Sequence, residues 1–145
     1  MKLTSIGYGY VGGSVGEVLK QQYDLEIIDP SLGFLEEEHK YQVDGIILCL
    51  PAPTLEDGTV DYSLIEHYLI KIKEKNPTVP VLIKSTILPD FANKMLSLND
   101  NANFSPEYLT AVNAKEDFRN SKFMVFSGAH GEFWENIFKQ CLNIE

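Results

Sequence analysis

Apolar residues along the chain fall into short runs, separated by stretches in which they recur every three or four positions. Lys2 to Ile6 is the first such run, and it predicts a strand. Val11, Val15, Val18 and Leu19 then recur at the spacing of one helix face. Leu25-Glu26-Ile27-Ile28-Asp29 predicts a second strand, and Gly45 to Leu50 a third. The third is apolar on both faces, as in the middle of a parallel sheet, and Pro51-Ala52-Pro53 ends it by removing ladder donors. Ser63 and Glu66 have the spacing of a capping box, ahead of a helix whose stripe is Leu64, Ile65, Tyr68, Leu69 and Ile72. Val79 to Ile83 predicts a fourth strand, Pro89 to Leu96 a short helix with proline in its first turn, Ala102 to Ser105 a fifth strand and Lys122 to Phe126 a sixth. Phe133, Trp134, Ile137, Phe138, Cys141 and Leu142 place a broad apolar face on a final helix. Alternation of this kind predicts an α/β fold, a doubly wound and mainly parallel sheet of about six strands with helices on both faces. No repeat, low-complexity tract or linker divides the chain, so residues 1–145 are read as a single domain.

Charge narrows the partners. The 21 acidic residues outnumber the 12 basic ones and give a formal charge of −9, with no basic stripe to offset it. Such a surface repels phosphate backbones and anionic headgroups, so neither nucleic acid nor membrane is expected as a partner. The longest uninterrupted apolar stretch, Ile46 to Leu50, is far short of the ~20 residues that span a bilayer. The N-terminal residues lack the apolar core and small-residue cleavage site of a secretory signal, which leads to the expectation of a cytoplasmic protein. Cys49 and Cys141 form no C-x-x-C pair and read as core residues, in keeping with a reducing compartment. His39, His67 and His130 are scattered without metal-ligand spacing, so no metal is expected.

One motif carries chemistry. Gly7-Tyr8-Gly9-Tyr10-Val11-Gly12 is G-x-G-x-x-G placed between a predicted strand and a predicted helix, the context in which it signals a Rossmann-like dinucleotide site. Gly7 permits the tight turn, Gly9 lets a pyrophosphate approach the backbone, and Gly12 lets the helix pack closely on the sheet. The helix opening at Tyr10 and Val11 offers unpaired N–H groups and a partial positive charge, so phosphates need no basic side chain there. Asp29 lies 22 positions after Gly7, where a carboxylate can accept hydrogen bonds from ribose hydroxyls. NAD is therefore expected rather than NADP. A 2′-phosphate would meet that carboxylate, and the next arginine along the chain is Arg119.

Four collinear segments resemble the N-terminal domain of the UDP-glucose/GDP-mannose 6-dehydrogenase family over most of the chain. They are Ile6 to Gly12; Leu48 to Thr54 with Asp57-Gly58 and Asp61-Tyr62-Ser63; Ile83-Lys84-Ser85-Thr86-Ile87-Leu88-Pro89; and Ser105 to Leu109 with Asn113 to Phe118. Members of that family oxidise a sugar C6 hydroxyl twice, passing two hydrides to two NAD molecules through a cysteine-bound intermediate. The resemblance implies that Pro51 and Thr86 face the cofactor. It also implies that Thr86, orienting a reacting hydroxyl or water near the nicotinamide, and Glu107, beside the substrate, stand at catalytic positions, here vestigial or auxiliary.

The departures from the family pattern matter as much. Thr110 stands where the family has arginine, and Ala111 where it has a second glutamate associated with proton transfer. The family's catalytic cysteine, lysine and asparagine, most of its sugar pocket and its dimerisation helix come from a segment with no counterpart among these residues. Only 14 residues separate Asp29 from Asp44, where the family has a longer stretch with a full helix. A crossover that short allows at most a short helix, leaves adenine more exposed and weakens cofactor affinity. Three readings follow: an NAD-binding domain that does not catalyse alone, one subunit of a split dehydrogenase that takes a nucleotide sugar only with a second chain, and an interaction module that has kept the fold without the ligand. The apolar face of the final helix further suggests pairing with a second copy.

Overall fold

Five of the apolar runs become strands in the computed structural model, which describes residues 1–142 and 144: β1 (Lys2–Ile6), β2 (Asp24–Ile28), β3 (Gly45–Leu48), β4 (Val81–Ile83) and β5 (Ala102–Phe104). They form one sheet in the order β2-β1-β3-β4-β5, every pairing parallel, with Ile6 opposite Ile28 on one side and Leu48 on the other. Helices α1 (Tyr10–Leu19), α2 (Ser63–Lys75), α3 (Pro89–Leu98), α4 (Ala114–Arg119) and α5 (Gly131–Lys139) cover both faces. Strand alternation sorts the core into two layers. Leu3, Ile47 and Leu82 point to the α1, α4 and α5 side, while Ile46, Leu48, Val81 and Ile83 point to the α2 and α3 side. The chain runs outward from β1 to β2 and then returns past β1 to β3, so the strand order reverses between β1 and β3. In open sheets of this kind the crevice at that reversal, beyond the carboxyl ends of the strands, is where ligands bind.

The return from β2 to β3 is short, as its length predicts, and consists of two 3₁₀ turns, Pro30–Leu32 and Glu38–Tyr41. Lys40 anchors it from inside: its side chain is buried, and Nζ donates to the carbonyls of Leu35 (2.6 Å) and Ile27 (3.1 Å). On the outer strand β2, Glu26 holds Lys2 Nζ and His39 Nε2 at 3.0 Å each. Lys40→Met would keep the aliphatic stem and remove the donors, leaving two carbonyls without their partner. A loss of about 1–3 kcal/mol in urea unfolding is expected, with faster amide exchange confined to residues 30–41.

Two sequence expectations are corrected. Lys122 to Phe126 does not form a sixth strand. The segment touches the sheet through a single antiparallel bridge, Ser127 to Phe104, and Gly128 at φ +114° then turns the chain into α5. Phe123 and Val125 consequently stay exposed, while Met124 and Phe126 pack inward. Ser63 and Glu66 do not form a capping box. The helix already begins at Ser63, whose N–H is taken by Asp61 Oδ1 (2.9 Å), and Glu66 pairs with Lys94 (2.6 Å). The apolar face of α5 packs within the chain: Trp134, Ile137 and Phe138 are buried against Leu3, Ile47 and Leu82, with Phe133 and Cys141 half-buried beside them. No helix among the described residues is long and apolar enough to cross a membrane, and none of their His, Cys, Asp and Glu side chains cluster as metal ligands.

Candidate functional site

The turn out of β1 is built on glycine because nothing larger fits. Gly7 continues the sheet by donating to Ile28 O (2.9 Å), then turns at φ +88°, where an added Cβ would lie 2.3 Å from the carbonyl oxygen of Cys49. At Gly12 a Cβ would lie 2.1 Å from Gly7 O, so the first turn of α1 rests directly on the loop backbone. Gly9 differs from both: its Cβ direction meets nothing within 4 Å. It caps α1 with no side-chain acceptor, and the amides of Gly9, Tyr10 and Val11 have no hydrogen-bond acceptor among the described residues. Gly9 and Tyr10 are exposed and Val11 half-buried, so these donors face solvent and are open to an incoming anion.

Asp29 closes the loop from the β2 side. Its Oδ2 accepts from the amide of Tyr8 (2.8 Å), and Oδ1 accepts from the Ser31 hydroxyl (2.5 Å) and amide (3.1 Å). The Ser31 hydroxyl and then the backbone amides hold its carboxyl below the ordinary value of 3.8, against the opposing effect of burial. On the other side, the hydroxyl of buried Ser85 accepts from the amide of Leu50 (2.8 Å) and ties the end of β3 to the segment after β4.

Between these walls, above the carboxyl ends of β1 to β4, lies a cleft of about 670 Å³. Gly7, Gly9, Tyr10, Val11, Asp29, Pro51 and Thr86, seven positions singled out from the sequence, line it together. Gly12 and Glu107 do not. Gly12 supports the loop from beneath, and Glu107 faces a separate concavity of about 420 Å³ on the far side of β4. A wider depression of about 940 Å³ runs along the other side of the glycine loop toward Ala111 to Glu116. Its charged wall is the Glu17 carboxylate held by Lys115 (2.9 Å) and Arg119. Of these three hollows, the first joins free helix amides to a carboxylate and the strand ends.

Sequence reasoning missed Lys84 as a site residue. The residue is 2% exposed and lies in the wall between the cleft and the concavity that holds Glu107. Nζ donates to Ser105 Oγ (3.2 Å) and Pro106 O (3.3 Å) and sits 2.9 Å from Glu107 Oε2. That oxygen is buried and has no aligned hydrogen-bond donor among the described residues, and the ammonium lies beside it. Cys49 also lines the cleft. Burial pushes its thiol up to about 12, Lys84 pulls it back, and Glu107 adds a smaller upward push. A protonated thiol at that position is inert. Leu64 and Tyr68 of α2 complete the floor. The signal for Lys84 was available in Val81-Leu82-Ile83-Lys84, a charge directly after three strand residues of a predicted central strand.

No protein-family model matches the chain. Solved structures do match its fold. GDP-mannose dehydrogenase from Pseudomonas aeruginosa, solved as a ternary complex, superposes over 99% of this chain and 45% of its own at TM-score 0.81 and 17% identity. UDP-glucose dehydrogenase from Pyrobaculum islandicum does so over 99% and 45% at TM-score 0.80 and 16% identity. Pyrroline carboxylate reductase from Plasmodium falciparum with NADP bound matches over 100% and 56% at TM-score 0.67 and 11% identity. The chain thus spans less than half the length of the two nucleotide-sugar dehydrogenases and has the fold of one part of them.

Proposed function

We propose that the chain is a dinucleotide-binding domain of the nucleotide-sugar dehydrogenase lineage, selective for NAD over NADP. The observation that carries this reading is the uncapped start of α1, whose free amides open into a cleft that also holds Asp29 and the ends of the central strands. The amides of Gly9, Tyr10 and Val11 bind the diphosphate, and the missing Cβ of Gly9 gives it room. Asp29 accepts the hydroxyls of the adenosine ribose, and its charge repels a 2′-phosphate. Pro51 and the exposed Thr86 border the nicotinamide half. When bound, NAD supplies a hydride acceptor.

The domain does not oxidise a nucleotide sugar alone. Ala111 offers no proton acceptor at the position of the family's second glutamate, and Glu107 is engaged by Lys84 outside the cleft. Titration calorimetry should give NAD binding weaker than micromolar, because the crossover beside the adenine end is only two turns with Leu32, Phe34 and Leu35 exposed. NADP should bind at least about tenfold more weakly still, since a carboxylate facing an added phosphate is a like-charge contact. Asp29→Asn should narrow that gap. Failure of either dinucleotide to bind would overturn the proposal, and turnover of UDP-glucose by the unaltered chain would overturn its non-catalytic part.

The pH dependence has a definite sign. Because the folded carboxyl of Asp29 lies below 3.8, its contribution is complete above that value and is lost as pH falls through the lower, folded one. NAD binding should therefore be flat through the neutral range with respect to this group and fall only in the acid below 3.8.

A further inference from the structure

We propose that the buried Lys84–Glu107 pair biases the cleft toward the reduced form of the nicotinamide, an inference that rests on the dinucleotide reading above. The pair has a direction. Lys84 lies in the wall of the cleft next to Ser85 and Thr86, whereas Glu107 lies in the concavity beyond it. Lys84 borders the cleft and Glu107 does not, so the positive member of the pair is the nearer one to the cleft. Both side chains are largely withdrawn from solvent, at 1% and 11% exposure, so the field is weakly screened. Asp29 and the start of α1 fix which half of a ligand meets it. With the ribose of adenosine at β2 and the diphosphate at α1, the other half extends over the ends of β3 and β4, where Lys84 stands.

The oxidised nicotinamide ring carries a formal positive charge, which addition of a hydride removes. A fixed positive end beside the ring raises the free energy of the charged form and leaves the neutral form almost untouched. Cys49 reports the same field on the same wall, since Lys84 acts on its thiol more strongly than Glu107 does. Stability alone gives no reason for the pair, because apolar residues of similar volume commonly replace buried ion pairs without loss.

Calorimetry with NAD and with NADH on the full chain, compared across variants, tests the assignment. Lys84→Met removes the positive end and leaves the carboxylate, so the ratio of the NAD to the NADH dissociation constant should fall by about tenfold. Glu107→Gln frees the ammonium from its partner and should move the ratio in the opposite direction, and the double variant should return toward the starting value. A pair with a purely structural role would weaken both forms alike. An unmoved ratio, or shifts of the same sign in both single variants, would overturn the proposal. Glu107→Gln, which changes one atom, carries the test if Lys84→Met does not fold. Binding of neither form by the unaltered chain would instead overturn the dinucleotide reading itself, so the two failures are told apart by whether any binding is seen.

Discussion

Gly7→Ala should cost about 3–5 kcal/mol of folding stability, near the top of the range for a single substitution, and lower the midpoint of thermal unfolding by on the order of 10 °C in a domain of this size. Two penalties combine. At φ +88° an L side chain is strained, and its Cβ would be driven to 2.3 Å from Cys49 O, a backbone atom that cannot swing aside. Relief would require separating the β1 turn from the end of β3, which opens the central pairing of the sheet. Gly33→Ala isolates the first penalty. Gly33 has a similar φ of +80° but open space around its Cβ, so that variant should lose only about 1 kcal/mol. Equal losses at the two positions would show that crowding against Cys49 is not the cause.

Gly9→Leu should have the reverse profile, with the fold kept and NAD lost. The Cβ direction there is empty, so no clash opposes a side chain, and unfolding should shift by about 1–2 kcal/mol, the cost of a poor capping residue at φ −73° and ψ −148°. A leucine side chain, however, would occupy the space in front of the amides of Tyr10 and Val11. A drop in NAD affinity of at least about a hundredfold is expected, the equivalent of two or more lost charge-assisted hydrogen bonds. Calorimetry and thermal unfolding on the same preparation check both halves. Unchanged NAD affinity would mean that the helix start is not where the diphosphate sits.

How much of this was legible in the sequence depended on how local the cause was. The strand, glycine loop and helix from Lys2 to Leu19 are consecutive in the chain, and each glycine answers to a neighbour that the motif itself implies, such as Gly12 against Gly7. Asp29 was readable for the same reason, because a fixed spacing along βαβ brings it to the loop, although its bond to the Tyr8 amide was not foreseen. The sixth strand failed on a distant cause. Phe123 to Phe126 has the right alternation, but β5 offers only three residues and is bridged at one of them, after which Gly128 approaches Asn103 too closely for any side chain. Glu66 looked like half of a capping box because its true partner, Lys94, lies on another helix. Glu107 was assigned by resemblance to the reacting centre, and only the fold shows that Lys84 holds it on the far side of the wall.

Because the return from β2 is cut to two turns, that strand is left as the outer rim of the sheet, and a bare rim of parallel backbone invites a stray chain to add itself. Here the rim is guarded. Lys2 and Glu26 line it with charge, His39 hydrogen-bonds to Glu26, and the ammonium of Lys40 already occupies the carbonyl of Ile27. At the opposite rim Ser127 fills the first free place beside Phe104. A sheet only five strands wide is in this way shut to further growth at both margins.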